Sequence, residues 1–131
     1  MNIGGASKKS GVSQRMIRHY EGIGLIPVPP RRESGYRDYS EDDVHRLRFI
    51  ANARDLGFGI EEIRTLLALW SDRERSSADV KRLALQQAEA LGEKMKAIEA
   101  MRSTLVHLAK GCHGDSRPDC PIIDALAAKV N

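Results

Sequence analysis

The sequence predicts a mainly α protein in three parts. A small winged helix-turn-helix domain occupies residues 1–75, one long helix residues 76–111, and a two-cysteine loop with a short helix residues 112–131. Three observations predict this. Two short helical patterns flank Gly11-Val12 and lead into a Pro/Gly-rich hairpin. No proline occurs from Ala78 to Lys110. Both cysteines, Cys112 and Cys120, lie in a loop rich in turn formers with seven residues between them.

The chain has 131 residues, enough for one small domain and an appendage. Hydrophobic residues make up 41% and aromatics 5%, which builds helical cores but is thin for a large sandwich. No apolar run approaches the ~20 residues that span a bilayer. Met1 to Gly11 holds no apolar core of signal-peptide length, so the expected location is the cytoplasm, with no membrane partner. Net charge is +3, unevenly spread. Residues 1–37 carry seven basic and two acidic side chains, a net of +5, which leaves −2 for the remainder. A basic front end on a near-neutral body points toward phosphate backbones.

Taken in order, Ile3 to Ser10 forms a short first helix, weakened by Gly4 and Gly5, each costing ~1 kcal/mol against Ala. Gly11-Val12 turns the chain, and Ser13 caps a second helix from Gln14 to Glu21. Val12, Met16, Ile17 and Tyr20 face inward, leaving Gln14, Arg15, Arg18 and His19 mostly on the other side. Helix, glycine turn and polar-faced helix make a helix-turn-helix pattern. Pro27, Pro29 and Pro30 then enforce an extended connection. Residues 31–39 read as a hairpin turning at Ser34-Gly35, a wing whose tip offers Arg31, Tyr36 and Arg37 to a DNA backbone. Arg18 and Tyr20 join that surface, and Arg15 reaches toward base edges.

Ser40 with Asp43 fits a capping box for a helix ending near Leu56. Its apolar stripe is Val44, Leu47, Ile50, Ala51 and Ala53. Another helix follows from Ile60 to Trp70, with Ile63, Leu66 and Leu67 inward. Ser76 with Asp79 opens the long helix, ~50 Å if continuous. Ala84, Leu91, Ile98 and Leu105 recur every seven residues, with Met101 and Leu108 beside them and Gln87 and Lys94 interrupting. This imperfect heptad predicts a coiled-coil homodimer, parallel or antiparallel. Gly111 caps the helix, and Pro121 suits the first turn of a short one, Ile122 to Ala128.

The two thiols thus converge where a loop meets a helix N-terminus, a metal-sensing arrangement. Other readings of the pair are a disulfide, half of a zinc site, or two buried thiols. His113 and His107 lie near but read as surface residues. No Cys-x-x-Cys and no paired base is present, so the chain is not expected to be an enzyme.

Gly11-Val12-Ser13, Ile17-Arg18-His19-Tyr20-Glu21, Gly24-Leu25-Ile26 and Gly35-Tyr36-Arg37-Asp38-Tyr39 together resemble the DNA-binding module of MerR-type transcription regulators. Leu56-Gly57-Phe58, Ile60-Glu61-Glu62-Ile63, the long helix and the cysteine loop continue the likeness over essentially the whole chain. Ser77-Ala78-Asp79-Val80-Lys81 and Asp119-Cys120-Pro121-Ile122-Ile123 look most like the copper-efflux regulator (CueR-like) branch. The resemblance implies a homodimer with antiparallel long helices, each metal loop near the partner's DNA-binding domain. It implies repression without metal and activation with it, by distorting an overlong promoter spacer so that RNA polymerase's two recognition elements align.

Soft thiolates at Cys112 and Cys120 select Cu(I), or Ag(I) or Au(I), over harder ions. In relatives answering divalent ions a partner cysteine usually stands where this chain has Ser77, so Ser77 withholds an extra soft ligand. Two thiolates with a monovalent ion leave −1, which the amides starting the helix at Pro121 and the ammonium of Lys81 would offset. The plain alternative for Lys81 is a surface lysine. Two further functions stay open: thiol redox sensing by the same fold, and a cytosolic metal-buffering protein that binds no DNA.

Overall fold

A computed structural model describes residues 1–118 and 120–128. Among the described residues six helices follow one another: α1 (Ile3–Ser10), α2 (Gln14–Gly22), α3 (Glu41–Asp55), α4 (Ile60–Ser71), α5 (Ser77–Lys110) and α6 (Pro121–Ala128). The chain divides into two compact units, Met1–Leu83 and the residues from Ala84 onward. Among the described residues no helix is long and apolar enough to cross a membrane.

The first unit holds the core. Every third or fourth residue of α3 faces inward, so Val44, Leu47 and Ile50 are fully buried against Ile17 of α2, Ala6 of α1 and Ile63 of α4. Each such aliphatic side chain contributes roughly 1.5–3 kcal/mol by burial. Phe49 of α3 stacks on Trp70 of α4, ring centroids 4.6 Å apart. The weak first helix forms despite its two glycines. Asn2 accepts from the Gly5 N–H at 2.9 Å, and the Arg48 guanidinium donates to the Lys9 carbonyl at 2.8 and 3.1 Å. An external arginine thus satisfies a helix end that propensity alone would leave frayed.

Caps set the other boundaries. Ser13 accepts from the Met16 N–H at 3.2 Å. The Ser40–Asp43 capping box is present in both directions, at 3.2 and 2.8 Å. α2 closes in a Schellman arrangement, Leu25 N–H to the Tyr20 carbonyl at 2.9 Å and Gly24 N–H to the Glu21 carbonyl at 3.1 Å. Arg64 of α4 donates to the Ile23 and Gly24 carbonyls, both at 3.1 Å, which holds the end of α2 against α4.

The wing is smaller than the hairpin expected for residues 31–39. It consists of a single antiparallel bridge, Arg31 with Arg37. The flanking bonds run from the Asp38 N–H to the Pro30 carbonyl at 2.8 Å and from the Arg32 N–H to the Tyr36 carbonyl at 2.7 Å. Glu33, Ser34 and Gly35 form a three-residue tip. Gly35 sits at φ +88°, the left-handed position such a tip needs. Prolines on both sides of Val28 remove ladder donors and keep the ribbon short.

α5 is one helix of 34 residues, starting at Ser77, a residue earlier than Ala78. The Ser76 hydroxyl caps it by accepting from the Ala78 N–H at 3.1 Å. In the second unit only Gln87 of α5 is buried among the described residues. Ile98 and Leu105, in the seven-residue repeat, stand 62% and 57% exposed, and Leu85, Met95 and Met101 are similarly uncovered.

Candidate nucleic-acid interface and thiol loop

α2 presents its polar face to solvent. Arg15 and Arg18 are exposed and make no ion pair among the described residues, so both guanidinium groups are available to an outside anion. Arg18 also lines a cleft between α2 and the wing, with Val28, Arg31, Tyr36 and Arg37 around it. Arg31 is exposed and steadied by a 2.9 Å bond from its Nη1 to the Gly35 carbonyl. Tyr36 stands 71% exposed at the wing. These four residues form a surface that suits a phosphate backbone.

Two residues expected there are placed differently. Tyr20 is a core residue, 3% exposed, and its hydroxyl accepts from Arg54 Nη1 at 3.2 Å. This corrects the expectation of a surface contact: Tyr20 follows Ile17 by three residues, so the helical period turns both inward. Arg37 is engaged within the molecule. Its Nη1 pairs with Glu21 Oε2, and the Tyr39 hydroxyl donates to Glu21 Oε1. The Glu21 side chain is only 2% exposed. The hydrogen bond of Arg37 with Tyr39, and after it the charge of Glu21, push the Arg37 guanidinium above its ordinary range against the opposing effect of burial. Burial first, then Glu21, pushes the Tyr39 phenol up.

Sequence reasoning missed Glu21 and Tyr39 as a pair. The available signal was an acidic residue, Glu21, one turn after Ile17 on the inward side of α2. A carboxylate there needs partners, and Arg37 and Tyr39 are the wing residues that reach it. Asp38 also ties the wing inward. It takes the Met1 ammonium at 2.7 Å and Arg32 at 2.9 Å, and these two bonds, in that order, hold its carboxyl below the usual range.

In the second unit, α5 ends as the Cys112 N–H bonds the Ala109 carbonyl at 3.1 Å. Gly111 lies against Pro121. A Cβ at Gly111 would meet Pro121 Cγ at 3.3 Å, so the two ends of the loop touch where only a glycine fits freely. Asp115 folds the loop inward by accepting from the Arg117 backbone and side chain, both at 2.9 Å. Cys120 occupies the cap position of α6. The Ile123 N–H, then the Cys112 side chain, then the Ile122 N–H hold its thiol below the ordinary range, while the charge of Asp124 opposes them. Both thiols are free and half-buried. The two thiols are soft donors, which suit a soft ion. Asp119, and residues 129–131 of the expected C-terminal segment, lie outside the described residues.

His107 and His113 are exposed. Ser77 and Lys81 belong to the first unit, both exposed, one helical turn apart on α5 and bordering an open depression with Arg73, Arg75 and Val80. Lys81 makes no ion pair among the described residues.

Residues 1–70 match the family model described as "MerR HTH family regulatory protein", and residues 44–108 match "MerR, DNA binding". The chain is a MerR-family transcription regulator. It is therefore a DNA-binding protein and not an enzyme. It is 59% identical over its whole length to "Heavy metal-dependent transcription regulator 2" of Rhizobium meliloti (strain 1021), covering 91% of that protein. It is 40% identical to "HTH-type transcriptional regulator CueR" of Salmonella typhimurium (strain LT2), over 97% of this chain and 92% of that one. The crystal structure of transcription regulator PbrR691 from Ralstonia metallidurans CH34 in complex with lead(II) superposes with a TM-score of 0.84 at 32% identity. That match covers 96% of this chain and 98% of the other. The MerR fold here is thus a helical DNA-binding module followed by a long helix.

Proposed function

We propose that this MerR-family protein is a cytoplasmic, metal-responsive regulator that binds promoter DNA as a homodimer. It activates copper resistance genes, or silver or gold resistance genes, on taking up a monovalent ion. The observation that carries the metal reading is the meeting of Cys112 and Cys120 at the closed base of one loop, with the Cys120 thiol eased toward thiolate by the first amides of α6. Cys112 and Cys120 would hold the ion, and the ion would supply a positive charge between two thiolates. The name of the Rhizobium meliloti relative and the lead(II) complex of PbrR691 support a heavy-metal ligand. The CueR relative and the two-thiol donor set favour a +1 ion, because a divalent ion would be short of ligands.

The rest of the chain fits that role. The uncovered seven-residue stripe of α5 supports an antiparallel pair of helices. In that dimer Ser77 and Lys81 of one subunit would approach the other's loop. The serine would add no soft ligand, and the ammonium would offset the residual negative charge. Arg15, Arg18, Arg31 and Tyr36 would hold the duplex. Metal would shift the dimer between two shapes, which act on RNA polymerase through the geometry of the promoter spacer.

The test is a reporter under the chain's own upstream promoter, exposed to each metal. Cu(I) should induce it, and Cys112→Ser or Cys120→Ser should abolish induction with operator binding intact. Ser77→Cys should add a response to Hg(II) or Zn(II). If the unaltered protein responds to Zn(II) as strongly as to Cu(I), the ligand-number argument fails. Metal titration under reducing conditions separates this from thiol redox sensing, in which the same cysteine pair would respond only to oxidant.

A further inference from the structure

Arg37 has the composition of a phosphate contact: an arginine on a wing, beside a cleft lined by Arg18 and Arg31. Its surroundings say otherwise. The Glu21 carboxylate, 2% exposed, receives the Arg37 guanidinium on one oxygen and the Tyr39 hydroxyl on the other. Three groups from two elements thus close around a buried carboxylate. Glu21 comes from the last turn of α2, and Arg37 and Tyr39 from the outgoing arm of the wing.

We propose that Arg37 is a positioning residue, anchored by Glu21, that sets the wing at a fixed distance from α2. Glu21 and Arg37 then decide how Arg31 and Tyr36 stand relative to Arg15 and Arg18, without either touching DNA. Two features support a positioning role over simple stability. The wing has a single bridge, and beyond the tie of Asp38 to the Met1 ammonium the triad joins it to α2. The anchor also lies on the element that carries Arg15 and Arg18, so the triad ties one half of the DNA surface directly to the other. A carboxylate taken out of water this far is retained only when both oxygens are answered, and here they are.

The proposal rests on α2 and the wing meeting the duplex, and the experiment separates the two ideas. Binding of the full chain to its own promoter fragment is measured by fluorescence anisotropy over a KCl series, with thermal melts of each variant. Arg18→Ala is the control and should reduce the salt slope by about one unit per subunit. Glu21→Gln should weaken binding about tenfold, the scale of one lost charged hydrogen bond, with the slope unchanged. Arg37→Ala alone would strand a buried carboxylate, so Glu21→Gln is combined with Arg37→Ala. The double variant should bind no more weakly than Glu21→Gln, again with the wild-type slope. Tyr39→Phe, which keeps the ring in the core, should show a smaller loss of the same kind and serves if Glu21→Gln fails to fold. A slope lowered in the double variant as far as in Arg18→Ala would make Arg37 a phosphate contact and overturn the proposal. So would wild-type affinity in both Glu21→Gln and Tyr39→Phe. An unchanged slope for Arg18→Ala would remove the interface itself, and the proposal with it.

Discussion

Residues 1–83 bury their own apolar side chains, whereas α5 beyond Ala84 leaves its apolar side chains in solvent. In the first unit Val44, Leu47, Ile50 and Ile63 are fully enclosed by four short helices. In the second, Ile98 and Leu105 are more than half exposed although they have the same chemistry. Propensity does not explain the contrast, since both regions are helical. The difference is in what covers them. Short helices fold back on one another, but a helix of 34 residues is ~50 Å long, and its apolar stripe is uncovered among the described residues. The first unit is stabilised from within, whereas the second leaves an apolar stripe that the proposed dimer would cover.

That comparison can be broken most sharply at the stripe. Ile98→Glu with Leu105→Glu should give monomers in sedimentation velocity. Operator binding should fall on the order of 10²-fold as two linked half-sites become separate ones, while the first unit keeps its helical signal. Dimers surviving both changes would mean that the stripe is not the covered surface. Within the first unit, Ile50→Ala should cost about 2–5 kcal/mol, read as a lowered denaturant midpoint. The same truncation at Leu105 should act only through dimer dissociation and so depend on protein concentration. A concentration-independent loss at Leu105 would erase the distinction between the two units.

Smaller effects sharpen the picture of the surface. Arg15→Ala should weaken operator binding and relax preference at one base pair, costing about 1–3 kcal/mol of discrimination. A uniform loss over all sequences would make Arg15 a phosphate contact. The smallest effect is expected at Glu41, whose carboxyl is held below the usual range chiefly by its 2.7 Å bond to Lys9. A depressed carboxylate contributes stability present above the unfolded-state value of about 4.3 and lost as pH falls through the lower folded-state value. Glu41→Gln should therefore lower neutral stability slightly and flatten the acid limb by the same small amount, the two proteins converging at low pH; the effect is small because both groups are exposed.

Much of this was legible in the residues. Caps, glycines and prolines placed each helix to within a residue, because such groups act locally. The inward face of α3 followed from period alone. What escaped notice depends on contacts distant in sequence. Arg48, Arg54 and Arg64 look like solvated cations, yet each donates to a group about forty residues or fewer away, at Lys9, Tyr20 and Gly24. Glu21 and Arg37 were read apart, one as a helix end and one as a wing tip, because sixteen residues separate them. Tyr20 was assigned outward by its motif and inward by its period, and the period prevailed.

The contact of Gly111 with Pro121 has a kinetic meaning. Bringing the ends of a loop of this length together costs roughly 2 kcal/mol of chain entropy, and here the cost is met when the protein folds. The ion proposed for the two thiols would therefore find a chelate already shut at its hinge. Release then demands that both sulfurs let go while still held side by side, so recapture competes with escape. A sensor built as proposed would answer at low concentrations of its signal and reset slowly unless an external carrier removed what it held.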